Sequence, residues 1–162
     1  MLKYLNAPVT FAEVPDEITL CINITGCPNR CPGCHSQFLW EDTGKDLTQQ
    51  ALEQLIIDNS GVSCVCLMGG DQDPETINFL GGIIKHNGKK SAWYSGKSEI
   101  SKGINLNNFD YIKIGPYIEE KGGLSNSNTN QRFYKVVGTI LEDITYKFWK
   151  NESIQNTTVF KG

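Results

Sequence analysis

The chain has 162 residues, a length that fits one domain with a real core. Hydrophobic residues make up 39% of it and aromatic residues 10%, a composition that excludes a disordered chain. The net charge of −3 and a pI near 5.4 argue against a nucleic-acid binder, because such proteins carry an excess of basic residues on their surface.

Strands and helices alternate in the first half of the chain. Apolar and polar residues take turns in the first strand, and the second strand is an almost continuous apolar run. Asp73 followed by Pro74 is typical of a helix start, since an aspartate caps the helix and proline suits its first position. In order, the predicted elements are a strand over 18–24, a helix over 48–59, a strand over 62–68 and a helix from Asp73 to His86.

Shorter elements are predicted in the second half. They are a strand over 91–94, a short helix, a strand over 111–114, a polar loop over 119–131, and strands over 133–141 and 144–149 that could form a hairpin around Gly138. We predict one domain over residues 1–162, with a core over about 18–149 and a loose tail over about 150–162.

The alternation of strands and helices predicts an α/β fold with a mainly parallel sheet and right-handed crossovers. Three glycine-containing loops follow three of its strands: the loop over 25–35, the Gly69-Gly70 loop and the Ser95-Gly96 loop. Ligand sites of α/β proteins gather at the carboxyl ends of their strands. We therefore expect these loops to border one site.

The chain carries six cysteines. No run of about 18 apolar residues is present to span a membrane, and the N-terminus does not resemble a signal peptide. We expect a cytoplasmic protein, in which thiols stay reduced. In that compartment, six cysteines indicate metal binding or catalysis before they indicate disulfides.

Three of the cysteines, Cys27, Cys31 and Cys34, lie in one short loop with C-x3-C-x2-C spacing. This spacing favours a 4Fe-4S cluster, and three ligands for four irons would leave one iron open to a small molecule. A zinc ion with His35 or Cys64 as its fourth ligand is the alternative. It is less favoured because the paired C-x2-C arms of zinc modules are absent.

The other motifs have weaker signals. Cys21, Cys64 and Cys66 lie on apolar strands, and core packing explains them. Gly69 and Gly70 are either an ordinary turn after a strand or a place where the backbone approaches a ligand closely. Asp71 could then accept a hydrogen bond from a ligand's ammonium group.

With these motifs in place, the chain resembles the radical S-adenosylmethionine (SAM) enzymes. More narrowly, it is similar to the activating proteins of anaerobic ribonucleoside-triphosphate reductases, which belong to the glycyl-radical activases. The similarity covers residues 18 to about 135. It rests on Thr25-Gly26-Cys27, Cys31, Pro32-Gly33-Cys34-His35, Met68-Gly69-Gly70-Asp71, Trp93-Tyr94-Ser95-Gly96, Ile114-Gly115-Pro116-Tyr117 and Asn130-Gln131-Arg132.

Two departures from the wider superfamily stand out. Gly33 precedes the third cysteine where an aromatic residue is common, and the glycine motif ends in Asp71 where glutamate is common. Both departures favour the reductase-activating subgroup. Only about four strand–helix units are available, so the resemblance implies a partial (βα) barrel, a reduced version of the radical-SAM fold with an open site.

The resemblance also implies cofactors, partners and a reaction. Cys27, Cys31 and Cys34 would bind three irons, and the amino and carboxylate groups of SAM would bind the fourth. An electron from a flavodoxin- or ferredoxin-type donor would cleave SAM to methionine and a 5′-deoxyadenosyl radical. That radical would take a hydrogen atom from a glycine of the partner reductase, with the cofactors supplying the chemistry.

Contacts to SAM are predicted from the same resemblance. Gly69, Gly70 and Asp71 would bind the methionine end, and Ser95 would meet a ribose hydroxyl or the carboxylate unless it is a plain turn residue. His35 is either a residue that tunes the cluster or a solvated loop histidine. The Asn130-Gln131-Arg132 segment faces the cofactor or the partner, or else is surface loop, and Trp93 and Tyr94 are assigned to the core.

Three rival functions remain at this stage. One is activation of another glycyl-radical enzyme, such as pyruvate formate-lyase. Another is a non-catalytic zinc-binding module. A ferredoxin-like electron carrier is disfavoured, because only three clustered cysteines are present and the glycine loops would have no role.

Overall fold

A computed structural model describes residues 1–149, so the predicted tail over 150–162 lies outside the described residues. The strands are β1 (Lys3–Asn6), β2 (Val9–Thr10), β3 (Thr19–Ile24), β4 (Lys45–Asp46), β5 (Cys64–Met68), β6 (Lys90–Tyr94), β7 (Tyr111–Ile114), β8 (Arg132–Val137) and β9 (Ile140–Asp143). The α-helices are α1 (Gln49–Asp58) and α2 (Pro74–His86), and 3-10 turns cover Gln37–Leu39, Leu106–Asn108 and Thr145–Phe148.

Both α-helices begin at capping residues. The Thr48 hydroxyl accepts a hydrogen bond from the Ala51 amide at 3.0 Å, which satisfies a free N–H of the first turn of α1. Asp73 does the same for the Thr76 amide at 3.2 Å, and Pro74 follows it at the first helical position of α2. The predicted helix starts are confirmed.

Within the described residues, the strands form one open sheet in the order β4-β1-β3-β5-β6-β7-β8-β9, and β2 pairs with β3. β3, β5, β6 and β7 are mutually parallel, and the outer pairings are antiparallel. The α/β fold with a parallel centre is confirmed. The partial barrel is not confirmed, because the edge strands β4 and β9 do not meet.

The order of the parallel strands decides where the helices lie. From β3 to β7 the chain moves across the sheet in one direction, so right-handed crossovers place α1 and α2 on the same face. Leu52 of α1 and Leu80 of α2 pack there with Ile22 and Leu67 of the strands. The opposite face has no α-helix among residues 1–149, and Val14, Phe133 and Ile144 pack on it with Cys21 and Cys66.

Several sequence predictions change in the second half of the chain. The hairpin around Gly138 is confirmed, since β8 and β9 pair and Gly138 adopts a φ of +63° between them. The predicted strand over 144–149 is wrong: it is a 3-10 turn over Thr145–Phe148 that packs Phe148 against Phe133. The short helix predicted between β6 and β7 is a single 3-10 turn.

Residues 1–149 contain two α-helices. Neither α1 nor α2 combines the length and the apolar character that a bilayer-spanning helix requires.

A buried carboxylate joins the amino ends of the parallel strands. Glu17 accepts hydrogen bonds from Ser63 Oγ at 2.8 Å, Lys90 Nζ at 2.8 Å and Tyr111 Oη at 2.6 Å. Burial raises the pKa of Glu17, but the hydrogen bonds from Lys90, Tyr111 and Ser63 outweigh it and hold that pKa below its ordinary value. The charged form therefore stabilises the fold.

This network predicts an acid-sensitive contribution to stability. Because the folded-state pKa of Glu17 is depressed, its contribution is complete above the unfolded pKa of about 4.3 and is lost as the pH falls through the lower folded value. We expect Glu17→Gln to lower the melting temperature at pH 6.5 and to lower it less at pH 3.5. Glu142→Gln, at an exposed position, is the control. An equal difference at both pH values would contradict the prediction.

Candidate metal centre

The cysteine loop connects β3 to β4, and β1 holds both of its ends. The Thr25 amide, directly after β3, donates to the Lys3 carbonyl at 2.9 Å, and β4 pairs with β1 on its other side. The Thr25 hydroxyl also donates to the Thr43 carbonyl at 2.5 Å. The long loop is thus closed at its base, which limits where its three cysteines can lie.

Cys27, Cys31 and Cys34 border one cavity of about 360 Å³. All three thiols are free and half-buried. The Cys34 amide donates to the Cys31 carbonyl at 3.1 Å, and the Ser36 amide donates to the Cys34 sulfur at 3.3 Å. Backbone N–H donors directed at a sulfur stabilise the thiolate that binds metal.

The parallel strands supply the floor of this cavity. Their registers pair Asn23 of β3 with Met68 of β5, Met68 with Tyr94 of β6, and Tyr94 with Lys113 of β7. These four side chains form a row along the carboxyl ends of neighbouring strands, on the face without helices, and all four line the cavity. The cysteine loop, the Gly69-Gly70 loop and the Ser95-Gly96 loop border the same cavity, as the sequence predicts.

The two glycines after β5 have different surroundings. Gly69 lines the cavity, and its carbonyl accepts a hydrogen bond from Trp93 Nε1 at 2.8 Å. Gly70 does not line the cavity: its φ is +91°, and a side chain there would overlap the side chain of Ile77 in α2. Gly69 is therefore placed for ligand contact, whereas Gly70 allows α2 to approach the loop closely.

Adding one methyl group at Gly70 is expected to destabilise the fold strongly. Gly70→Ala combines a φ that L-residues avoid with overlap against Ile77, and we expect it to lower the free energy of unfolding by about 3 kcal/mol. Gly88→Ala is the matched control, since Gly88 has a φ of +79° but nothing within 4 Å of the added carbon. It should cost only about 1 kcal/mol. Equal losses in urea unfolding would contradict the steric explanation.

The carboxylate of Asp71 joins two of the loops. Its Oδ1 accepts from Ser95 Oγ at 2.6 Å, and its Oδ2 accepts from the Gly96 amide at 2.8 Å and from Asn29 Nδ2 at 2.6 Å. Asn29 lies between two of the cysteines, and its amide is 3.7 Å from the Cys27 sulfur. Asp71 lines the cavity, but three protein donors already occupy its oxygens, so it holds the cysteine loop against the ends of the strands.

Lys113 is a site residue that the sequence analysis missed. Only 7% of it is exposed, and its ammonium donates to the carbonyls of Ser95 at 3.1 Å and Gly115 at 2.8 Å. Burial lowers the pKa of Lys113 to about 8, and Asp71 and the three loop cysteines oppose that shift. The signal for it was a single charged residue within the apolar stretch Tyr-Ile-Lys-Ile.

The remaining predicted residues divide between the cavity and its surroundings. Ser95 is buried beside Asp71 and lines the cavity, as does the exposed His35, whose ring contacts Tyr117 edge-on at 5.6 Å between centroids. The core prediction fits Trp93, which is buried under α2, while Tyr94 borders the cavity.

In the Asn130-Gln131-Arg132 segment, only Gln131 lines the cavity. Asn130 Nδ2 donates to the Pro116 carbonyl at 3.0 Å, and its Oδ1 is buried without a hydrogen-bond partner in the described part of the chain. Arg132 lies 3.6 Å from the Asp143 carboxylate. The segment therefore contributes one wall residue and two residues that support the wall.

The zinc alternative finds little support in this arrangement. Cys64 begins β5, about 13 Å along the strand from Met68 at the cavity, so it does not reach the loop cysteines. Among residues 1–149, no set of three or more His, Cys, Asp or Glu side chains surrounds a single ion, and this includes Cys27, Cys31 and Cys34. A cluster does not need such a set, because each cysteine binds a separate iron of it. Cys21, Cys64 and Cys66 are buried together on the face without helices, as the core prediction requires.

The match to a known family comes from the sequence. The sequence model of the 4Fe-4S single cluster domain matches residues 18–134, most of the chain. The chain belongs to the 4Fe-4S single cluster domain family. Comparisons with curated proteins and with solved structures give no match. The matched range contains the cysteine loop and all four parallel strands, so the family assignment covers the whole cavity.

The residues at the cavity fit the cluster that defines the 4Fe-4S single cluster domain. Iron–sulfur clusters are bound by cysteine thiolates, and three free thiols border this cavity. The Ser36 amide, which donates to the Cys34 sulfur, and the buried ammonium of Lys113 provide positive surroundings that suit an anionic centre. Cys27, Cys31 and Cys34 are accordingly the residues predicted to hold it.

Proposed function

We propose that this 4Fe-4S protein is a radical SAM activating enzyme that generates a glycyl radical on an anaerobic ribonucleoside-triphosphate reductase. The observation that carries the proposal is the single cavity shared by three cysteines and the carboxyl ends of four parallel strands. Three thiols leave one iron of a four-iron cluster without a protein ligand, beside space for a small molecule. The family is found in radical-SAM-type activases, which supports the same function.

Each side of the cavity has a role in this proposal. Cys27, Cys31 and Cys34 hold the cluster, and Gly69 and Ser95 offer backbone and hydroxyl groups for the amino-acid and ribose parts of SAM. When bound, the cluster and SAM would supply one-electron reductive cleavage of the sulfonium and the removal of a hydrogen atom from a glycine. The protein orients SAM and limits competing reactions.

The surroundings of the cavity are suited to a protein substrate. Phe38 lies four residues after Cys34 and is 54% exposed, and His35 and Ser36 on the same segment border the cavity from the solvent side. An exposed aromatic residue beside an entrance is a common contact for a partner chain. We propose a glycine-bearing loop of the reductase as the substrate and a flavodoxin- or ferredoxin-type protein as the electron donor.

Two measurements on the anaerobically reconstituted protein test the function. Reduced protein with SAM should release methionine and 5′-deoxyadenosine in equal amounts, and mixing with the reductase should give the glycyl doublet in electron paramagnetic resonance. A doublet on pyruvate formate-lyase alone would identify a different partner. About one zinc and no iron per chain, with no SAM cleavage, would replace the proposal with a zinc module.

A further inference from the structure

The buried ammonium of Lys113 has no carboxylate partner among the described residues. Within residues 1–149, no carboxylate oxygen lies within 4.0 Å of its Nζ, although Asp71 is near enough to raise its pKa. A buried charge is costly unless an opposite charge or hydrogen bonds compensate it. Two carbonyls satisfy part of its hydrogen-bonding capacity, but they do not neutralise its charge.

The position of this charge is fixed by the sheet. Lys113 lies at the end of the row formed with Asn23, Met68 and Tyr94, and its Nζ is 5.8 Å from the centroid of the Tyr94 ring. The two carbonyls that it binds belong to Ser95, after β6, and Gly115, after β7. The ammonium is therefore held at the cavity wall from two neighbouring strands and has little freedom to turn toward solvent.

A 4Fe-4S centre bound by the three cysteines would place an anion in the cavity that Lys113 borders. Cys27, Cys31 and Cys34 all act on Lys113 in the direction that favours its charged form. Three thiolates give a bound 4Fe-4S centre a net negative charge, and one-electron reduction makes that charge more negative by one unit. A fixed cation near such a centre stabilises the reduced form more than the oxidised form, because the Coulomb attraction grows with the negative charge.

We propose that Lys113 is the charge-compensating residue of this cluster and raises its reduction potential. The inference rests on the cluster and not on SAM cleavage, so it can fail or hold independently of the proposed function. Lys113 acts on the cluster only through its fixed positive charge. We expect it neither to bind iron nor to transfer a proton.

The experiment measures the midpoint potential of the reconstituted protein by redox titration followed by electron paramagnetic resonance, without SAM. Lys113→Gln removes the charge and keeps a hydrogen-bond donor for the carbonyls. Lys97→Gln is the matched control, since Lys97 is exposed and two residues after Ser95. Lys113→Arg keeps the charge and should restore a potential close to that of the unaltered protein.

We expect Lys113→Gln to make reduction at least tenfold less favourable, a shift of about 59 mV to more negative potential for one electron. Lys97→Gln should leave the potential unchanged. The proposal is overturned if Lys113→Gln binds iron fully and titrates like the unaltered protein. It is also overturned if Lys113→Arg shifts the potential as far as Lys113→Gln does.

A variant of Lys113 that does not retain the cluster also decides between the outcomes. If Lys113→Gln is folded by circular dichroism but does not retain iron, while Lys113→Arg does, the charge is required to hold the anionic centre and the proposal is supported. If both variants are folded and lose iron, the role of Lys113 is steric and the proposal fails. Should Lys113→Gln not fold, Lys113→Met takes its place under the same criteria.

Discussion

Cys31→Ala is expected to leave the chain folded and without a functional iron–sulfur centre. Cys31 is half-buried at the cavity, where its removal leaves two thiols for the cluster. Loss of a residue that only hydrogen-bonds to a metal ligand already lowers metal affinity by about 10–100-fold. Loss of the ligand itself should therefore lower the affinity by about 100-fold or more. Iron content after anaerobic reconstitution should fall from about four per chain toward zero, and the proposed SAM cleavage should be lost with it.

Cys64→Ala is the matched control for that experiment. It makes the same chemical change at a fully buried cysteine at the opposite end of β5. We expect it to lower stability by about 1–2 kcal/mol through a small cavity in the core, and to leave iron content and SAM cleavage intact. Full iron content in Cys31→Ala, or its loss in Cys64→Ala, would show that the cluster ligands are assigned wrongly.

Asp71→Ala is expected to lower both the stability of the fold and the retention of iron. It leaves the Ser95 hydroxyl, the Gly96 amide and the Asn29 amide without their acceptor. Loss of a charged acceptor costs about 1–3 kcal/mol for each buried donor, and these donors are part-buried, so we expect a total of about 3 kcal/mol. The cysteine loop should also come away from the strand ends and retain iron poorly.

The neighbouring aspartate provides the comparison for Asp71. Asp73 caps α2 and lies outside the cavity lining, so Asp73→Ala should cost about 1 kcal/mol without affecting iron retention. Urea unfolding and the rate of iron release to a chelator measure the two effects separately. If Asp71→Ala releases iron no faster than Asp73→Ala, the contact between Asp71 and Asn29 does not hold the cysteine loop.

The parallel core was predictable because its signals are local. The apolar period of 18–24, the Asp73-Pro74 cap and the glycines after each strand depend on neighbouring residues, and the structure confirms these elements. Pairings at the edges of the sheet were not predictable. β2 and β4 have two residues each, too few for a periodic pattern, and they exist because β1 and β3 offer free backbone groups.

The site was predictable as a meeting of loops but not in its contacts. The spacing of Cys27, Cys31 and Cys34 indicated a cluster. Their position after the first predicted strand placed them at the strand ends together with Gly69 and Ser95. Which charged and polar side chains contact each other depends on the register of the strands. The register brings Lys113 to the cavity and Asp71 to Asn29, which is 42 residues earlier in the chain.

The first seventeen residues lie outside the range matched by the family, yet they complete the sheet beside the cysteine loop. β1 and β2 together cover the outer edge of β3, and the Glu13 carbonyl accepts the hydrogen bond of the Tyr94 hydroxyl. A protein that begins at residue 18 would expose the outer edge of β3, and an exposed strand edge is prone to intermolecular pairing. We expect the shortened protein to oligomerise and aggregate slowly, and its cysteine loop to lose the backbone contacts that β1 makes at both of its ends.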